Sequence, residues 1–202
     1  MAKLYFRYGA MNSGKSTSLL QAAYNYEERG HQVLLAKPGI DTKAGRKIHS
    51  RLGVDRSVDY VIGTDDDARA LLQTHREQVR RETGRDVSCL LVDEAQFLST
   101  PQINDLLRVA VIDDIPVICY GLRTDFRTAS FPGSQRLLQV AHSLEELKTI
   151  CRCGRKAIFT GRLVDGQFVF GGDQVAMDGA EVTYESMCAA CYLRESGGLL
   201  TA

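Results

Sequence analysis

The sequence has no surplus of either charge, because 25 lysines and arginines face 25 aspartates and glutamates. Without a global field, general binding to nucleic acid or to anionic membranes is disfavoured, and neither partner is expected. Long hydrophobic runs are missing too. The longest, such as Cys89-Leu90-Leu91-Val92, have the size of a strand rather than a membrane span, and no apolar leader stands ahead of the first motif. No internal repeat or low-complexity tract interrupts the chain. The expectation is a soluble, cytoplasmic chain whose 202 residues form one main domain with an appendage. In that reducing compartment the six cysteines should be free, catalytic or metal-bound rather than disulfide-paired.

Against these absences one motif stands out. Gly9-Ala10-Met11-Asn12-Ser13-Gly14-Lys15-Ser16 fits G-x-x-x-x-G-K-[ST], a loop that cradles nucleotide phosphates. Gly9 and Gly14 let the backbone turn so that successive N–H groups converge on phosphate oxygens. Lys15 then reaches the β- and γ-phosphates, and Ser16 offers its hydroxyl to Mg²⁺. The context agrees: Leu4 to Tyr8 reads as a strand feeding the loop, and Leu19, Leu20, Ala23 and Tyr26 recur at helical spacing before Gly30.

The pattern beyond this unit alternates. Gln32 to Lys37 reads as a strand stopped by Pro38-Gly39, and the next twenty or so residues, lacking periodicity, read as a mobile surface loop. Val58 to Ile62 is a short strand, and Thr64 with three following aspartates predicts a helix start, the helix running to about Glu82. Val87 to Val92 is a strand, Pro101 opens another helix, and Pro116 to Tyr120 is a further strand. The expected fold class is α/β, a P-loop parallel sheet with helices on both faces; beyond residue 145 short strands, glycines and cysteine pairs mark a second, smaller C-terminal unit. Residues 1–145 would form the nucleotide-binding domain and 146–202 the smaller unit.

Leu90-Leu91-Val92-Asp93-Glu94 is an apolar strand ending in two acids, the form of a Walker B element. In an open parallel sheet both the phosphate loop and Asp93 lie at the carboxyl ends of the strands, so Asp93 can hold Mg²⁺ opposite Ser16. Glu94 is free for another role; the alternative is that these acids cap the following helix. Cys151-Arg152-Cys153 and Cys188-Ala189-Ala190-Cys191, separated by 34 residues, can supply four thiolates to one tetrahedral ion, most naturally a structural zinc with no open position for substrate. A redox C-x-x-C is the functional rival. Cys89 and Cys119 lie inside apolar strands and read as core residues.

Together with Asp93-Glu94-Ala95-Gln96-Phe97 and Tyr120-Gly121-Leu122-Arg123-Thr124-Asp125-Phe126, these motifs resemble the thymidine kinase family of the zinc-containing type, over about residues 3 to 195. The resemblance implies transfer of the γ-phosphoryl of ATP to the 5′-hydroxyl of thymidine or deoxyuridine in pyrimidine salvage. It also implies a homotetramer and feedback inhibition by thymidine triphosphate. It makes Glu94 the catalytic base, and residues 9 to 16 with Asp93, Glu94, Ala95 and Gln96 the ATP contacts. Met11, Phe97, Leu122, Phe126, Phe131 and Tyr184 would line the nucleoside pocket. The resemblance makes 146–202 a zinc-ribbon-like, zinc-binding and lasso domain, with Thr160 and Gly179 in a lasso loop from about residue 160 to 184 that closes over the nucleoside through main-chain hydrogen bonds. Three departures accompany the match: Cys191 stands where several bacterial relatives carry histidine, Met177-Asp178-Gly179 stands in place of an Ile-Gly-Gly-like run with one extra residue before Tyr184, and Asp41-Thr42-Lys43 has lysine where many carry arginine. Asp-Glu-Ala-Gln after a strand also occurs in nucleic-acid-dependent P-loop ATPases, so a motor of that kind with a structural zinc module is the alternative.

Overall fold

The computed structural model describes residues 1–40, 45–172, 174 and 181–200. The chain opens with β1 (Leu4–Gly9), α1 (Lys15–Glu27) and β2 (Gln32–Pro38), followed by a hairpin of β3 (Lys47–His49) and β4 (Asp55–Ser57). There follow β5 (Tyr60–Ile62), α2 (Ala68–Thr83), β6 (Val87–Val92), a 3-10 turn (Ala95–Phe97), α3 (Thr100–Val111), β7 (Val117–Leu122), α4 (Pro132–Val140) and β8 (Ser143–Glu146). Six of these strands form one sheet in the order β5-β2-β6-β7-β1-β8, and every pairing is parallel.

Parallel strands are buried on both faces, and alternation along them sorts the core into two halves. Leu34, Ala36, Leu90, Val92, Val117 and Cys119 turn to one face, where they meet Ala68 and Leu72 of α2, Ile103 and Leu106 of α3 and Leu137 of α4. Val33, Leu35, Cys89, Leu91, Ile118 and Tyr120 turn to the other, where α1 supplies Leu19 and Ala23. The expected layering holds, and the two strand cysteines are core residues on opposite faces.

Three local expectations change. The helix after β5 begins at Ala68, not near Thr64: Asp67 is the cap, its carboxylate accepting from the N–H groups of Arg69 and Ala70, while Asp66 accepts from Gly63 N–H at 2.7 Å. The aspartate run thus builds the turn before the helix and only its last member caps. The stretch read as a mobile loop contains the β3–β4 hairpin. Its single buried strand residue, Ile48, packs with Val58 under α1 and left too little alternation to read. Finally, α4 and β8 extend the alternating pattern past residue 121; α4 has nine residues and no side-chain cap, with Pro132 in its first turn as its start signal.

The remaining elements are antiparallel. β9 (Thr149–Ile150) pairs with β10 (Lys156–Ala157), and β11 (Phe159–Val164) lies between β12 (Gln167–Val169) and β13 (Val182–Met187), with α5 (Ala189–Glu195) closing the chain. Their small core joins Cys151, Cys188, Cys191, Met187 and Tyr192 to Phe159, Phe168 and Phe170. Among the described residues no helix is long and apolar enough to cross a membrane.

α4 is held close to the turn that follows β6. A Cβ on Gly133 would lie 2.4 Å from the Ala95 carbonyl oxygen and 2.7 Å from that of Leu98, backbone atoms that cannot swing aside. Gly133→Ala should therefore cost about 1–3 kcal/mol, as overpacking does, and lower the melting temperature by several degrees. Calorimetric unfolding checks this, and an unchanged melting temperature would mean that α4 yields without cost.

Candidate active site

β1 delivers the phosphate loop to the carboxyl edge of the sheet. Gly9 has no substitute there, since a Cβ would fall 2.3 Å from Ser13 Oγ and 2.7 Å from the Leu147 carbonyl oxygen. Gly14, at φ 77, turns the chain into α1 without a side-chain cap, so the N–H groups of the first turn face the loop's hollow, a ready anion site. Lys15 is buried, and its Nζ spans the loop to donate to the Ala10 carbonyl at 2.9 Å. Burial lowers its pKa, while the nearby Glu94 and Asp93 oppose that fall.

Asp93 follows the last residue of β6, and its N–H donates to the Ala36 carbonyl of the neighbouring β2. Oδ2 accepts from Ser16 Oγ at 3.3 Å; Oδ1 is buried and has no hydrogen-bond partner among the described residues. Burial first, then the adjacent Glu94, raises the Asp93 pKa to about 7. An orphaned carboxylate oxygen beside a serine hydroxyl is an oxygen-donor pair that fits a hard divalent cation.

Glu94 adopts φ 49, left-handed backbone that is uncommon for a residue with a Cβ and is retained mainly where function or packing demands it. The bend brings it to a cleft of about 670 Å³ that Met11, Asn12, Gly14, Lys15 and Ser16 also line. The acids therefore do not cap the next helix through their side chains: the 3-10 turn has no side-chain cap, and Ser99 caps α3 in a reciprocal pair with Gln102. Gln96, fully buried, donates from Nε2 to the Glu94 carboxylate and accepts at Oε1 from Leu122 N–H at 3.1 Å. Glu94 is thereby tied to β7, while Ala95 is buried against α4.

The residues expected around the nucleoside fall into two groups. Phe97 and Phe131 meet edge to face at 5.4 Å, and Leu122 ends β7 with its carbonyl accepting from Ser134 Oγ. Phe126, only 2 % exposed, lies under the Arg162 guanidinium at 3.6 Å from its ring centroid. Arg162 is itself buried; it also donates to the Gly171 carbonyl and bonds the Tyr184 hydroxyl. Thr160 and Tyr184 come to the phosphate loop: Met11 N–H donates to Thr160 Oγ1 at 3.1 Å, and Asn12 Nδ2 donates to the Tyr184 carbonyl at 3.4 Å. Gly179 and its neighbours Met177 and Asp178 lie outside the described residues, as do Asp41, Thr42 and Lys43.

Several contributors escaped the sequence reading. Ser186 Oγ donates to the Met11 carbonyl, and Tyr192 OH donates to the Phe126 carbonyl at 2.7 Å. Lys37 is 2 % exposed in an otherwise apolar strand, a signal that a buried charge was needed. Arg127 pairs with Asp125 and donates to the Gly172 carbonyl, so the loop after β7 is moored to the C-terminal unit at several points.

The sulfurs of Cys151, Cys153, Cys188 and Cys191 all lie within 4.8 Å of one another. Cys153 and Cys188 are 3.6 Å apart, too far for a disulfide and near the roughly 3.8 Å edge of a tetrahedron with metal–sulfur bonds of about 2.3 Å. Burial pushes the Cys151 thiol up, but N–H donors of Cys153 and Cys188 bring it down to about 7; Cys191, bonded to the Cys153 and Cys188 sulfurs, is held up to about 12. Four sulfurs so close cannot all ionise without a cation, and the cluster can hold a metal ion such as zinc.

Phosphate loop, buried acid and cleft define a P-loop nucleotide-binding enzyme. The profile of the thymidine kinase family matches residues 2–192. The chain is 48 % identical over 200 residues to a thymidine kinase of Legionella pneumophila (strain Paris), covering 98 % of this chain and 92 % of that protein. It is 47 % identical to one of Shewanella oneidensis, over 93 % of this chain and 95 % of the relative, and 45 % identical to one of Enterobacteria phage T4, over 93 % and 94 %. Among solved structures, AMPPCP-bound DnaA from Aquifex aeolicus overlays 72 % of this chain and 40 % of its own at 18 % identity and a TM-score of 0.38, a likeness too slight to bear on function. The chain belongs to the thymidine kinase family and is an ATP-dependent enzyme of that kind.

The raised pKa of Asp93 carries a sign. With a folded value near 7 and an unfolded value near 4, the native state binds more protons between the two, so stability falls as pH rises through that window and is flat above it. Asp93→Asn should stabilise the metal-free protein at pH 8, by an amount on the order of a few kcal/mol, and remove this slope. Denaturant titrations at pH 5 and 8 check this; a destabilised Asn variant at pH 8 would contradict it.

Proposed function

We propose that the chain transfers the γ-phosphoryl of ATP to the 5′-hydroxyl of thymidine or deoxyuridine, with Glu94 as the base, in pyrimidine salvage. The observation that carries this reading is the left-handed backbone at Glu94, which sets its carboxylate at the cleft beside Lys15 and Ser16. Phosphoryl transfer has a loose transition state with little bond formation to the nucleophile, so positioning dominates. Glu94 orients the 5′-hydroxyl and accepts its proton late, and Gln96 keeps it from swinging away. Lys15 and the loop N–H groups neutralise charge on the moving phosphoryl. Mg²⁺, held by Ser16 and Asp93, supplies further neutralisation when bound.

Thymidine is recognised, in this reading, by stacking within the apolar set of Phe97, Leu122, Phe126 and Phe131, of which the Phe126 ring is covered by Arg162, and by main-chain groups of the segment between Thr160 and Tyr184. Stacking accepts any pyrimidine; a cytosine would present the opposite donor and acceptor pattern and leave buried backbone groups unpaired at about 1–3 kcal/mol each. The four cysteines hold a structural zinc that anchors β11 and β13 against the loop. Family membership further supports a homotetramer, thymidine triphosphate as feedback inhibitor, and a division of labour between residues 1–145 and 146–202.

The test is an assay of nucleosides with ATP and Mg²⁺. Thymidine and deoxyuridine should be phosphorylated and deoxycytidine and purine nucleosides not; comparable kcat/KM for deoxycytidine would remove the main-chain recognition. Glu94→Gln should bind both substrates and turn over about 10²–10⁴ times more slowly, the usual worth of a positioned base. Near-native turnover would take Glu94 out of the chemistry. Metal analysis should find one zinc per chain, retained in Cys191→His and weakened in Cys191→Ala. Stoichiometric zinc in a variant lacking all four thiols would refute the site.

A further inference from the structure

Part of the wall of the cleft is made by a segment that none of the motifs covers. His49, Ser50, Arg51 and Leu52, at the turn of the β3–β4 hairpin, line the same cavity as Lys15, Thr17 and Glu94. We propose that Arg51 is a phosphate-binding residue, a second cation that meets the triphosphate from the hairpin turn. The proposal rests on the reading that this cleft holds ATP.

The hairpin is built to hold that position. Ser50 is 2 % exposed, and its Oγ shares a 2.6 Å hydrogen bond with Thr17 Oγ1 in the first turn of α1. Ile48 is buried in the core under α1. Buried Lys37 donates from Nζ to the Lys47 carbonyl. Arg56 on the return strand forms a two-pronged pair with Glu27 near the other end of α1. Within the turn, Ser50 N–H donates to the Val54 carbonyl and Gly53 N–H to that of Ser50, with Gly53 at φ 81. A turn fixed at both ends and closed within itself carries its side chains at set places relative to the loop.

Arg51 is the cation on this turn without another role. Among the described residues it is exposed and makes no hydrogen bond or ion pair, whereas Arg46 donates to the Asp59 carbonyl and Arg56 is committed to Glu27. It is also close enough to the phosphate loop to act on Lys15, whose pKa is lowered chiefly by burial and further by the Arg51 charge, against the pull of Glu94 and Asp93. Two cations converging on one cleft repel each other, and a polyanion between them turns that repulsion into attraction to both. A guanidinium suits the task because its planar fork bonds phosphate oxygens in pairs, which Lys15, a point charge, does not do.

The experiment compares the full chain with Arg51→Ala and Arg51→Lys, measuring initial rates against ATP at saturating thymidine and against thymidine at saturating ATP. Calorimetric titration with a non-hydrolysable ATP analogue and Mg²⁺ runs alongside. The expected result is a KM for ATP and a Kd for the analogue raised about 10–100-fold in the alanine variant, the usual worth of a charge-assisted bond, with the lysine variant between and the KM for thymidine unmoved. ATP parameters within twofold of the unaltered chain in Arg51→Ala would overturn the proposal. Equal weakening for ATP and thymidine would do the same, because it marks a merely structural role. If the unaltered chain binds the analogue through Arg51 but phosphorylates no nucleoside, the kinase reading fails and the assignment of Arg51 stands.

Discussion

Asp93 caps a strand of apolar residues, and its carboxylate is buried beside Glu94, with the Ser16 hydroxyl bonded to one oxygen and the other left unpartnered among the described residues' side chains. Burying a charge beside a like charge is costly unless something offsets it. Much of the site is that offset. Lys15 is pulled under the loop, buried Lys37 comes alongside from the next strand, and both favour the charged form of Asp93. Strand alternation makes this possible: Lys37 and Asp93 continue the series Val33, Leu35 and Leu91 that faces α1, so the sheet's own pleat directs them to the side where the phosphate loop begins. A one-residue slip in β6 would send Asp93 to the opposite face and dissolve the arrangement.

The same economy explains the C-terminal unit. A glycine-rich loop has little intrinsic rigidity, yet its tip is bonded at Met11 by Thr160 and Ser186, and at Asn12 by Thr149 and the Tyr184 carbonyl. These partners sit on β9, β11 and β13, strands whose small core would be marginal alone and which the four cysteines draw together. The link continues to the loop after β7, where Tyr192 holds the Phe126 carbonyl and Arg162 covers the Phe126 ring. A metal at the cysteines would thus stiffen both the phosphate loop and the loop after β7 without touching either.

What the sequence disclosed follows from where the physics is local. The phosphate loop, the strand ending in Asp93 and the cysteine pairs are short patterns in which residue type alone dictates geometry, and each lies where it was expected. Apolar runs located β2, β6 and β7 for the same reason. The β3–β4 hairpin was missed because β3 buries one residue and β4 none, so its stability comes from Thr17, Lys37 and Glu27 far along the chain. The start of α2 was misplaced because four adjacent polar residues all carry capping side chains, and only the backbone path decides which one caps. Ser186 and Tyr192 were invisible for a further reason: a hydroxyl that bonds a distant carbonyl leaves no periodic trace.

The position of Glu94 then follows from packing rather than from any pattern in its own neighbourhood. Left-handed backbone for a residue with a Cβ costs on the order of 1–2 kcal/mol, and it persists only when surrounding contacts over-determine it. Those contacts are present on every side: Asp93 N–H is fixed to β2, Gln96 bridges Glu94 to β7, and α4 approaches through Gly133 so closely that the carbonyls of Ala95, Gln96 and Leu98 have no room to shift. Gly121 completes the enclosure, since any Cβ there would strike Gln96 Oε1 at 2.7 Å. Two glycines on elements distant in sequence thus leave room for one glutamine, and that glutamine holds the Glu94 carboxylate at the cleft beside the phosphate loop.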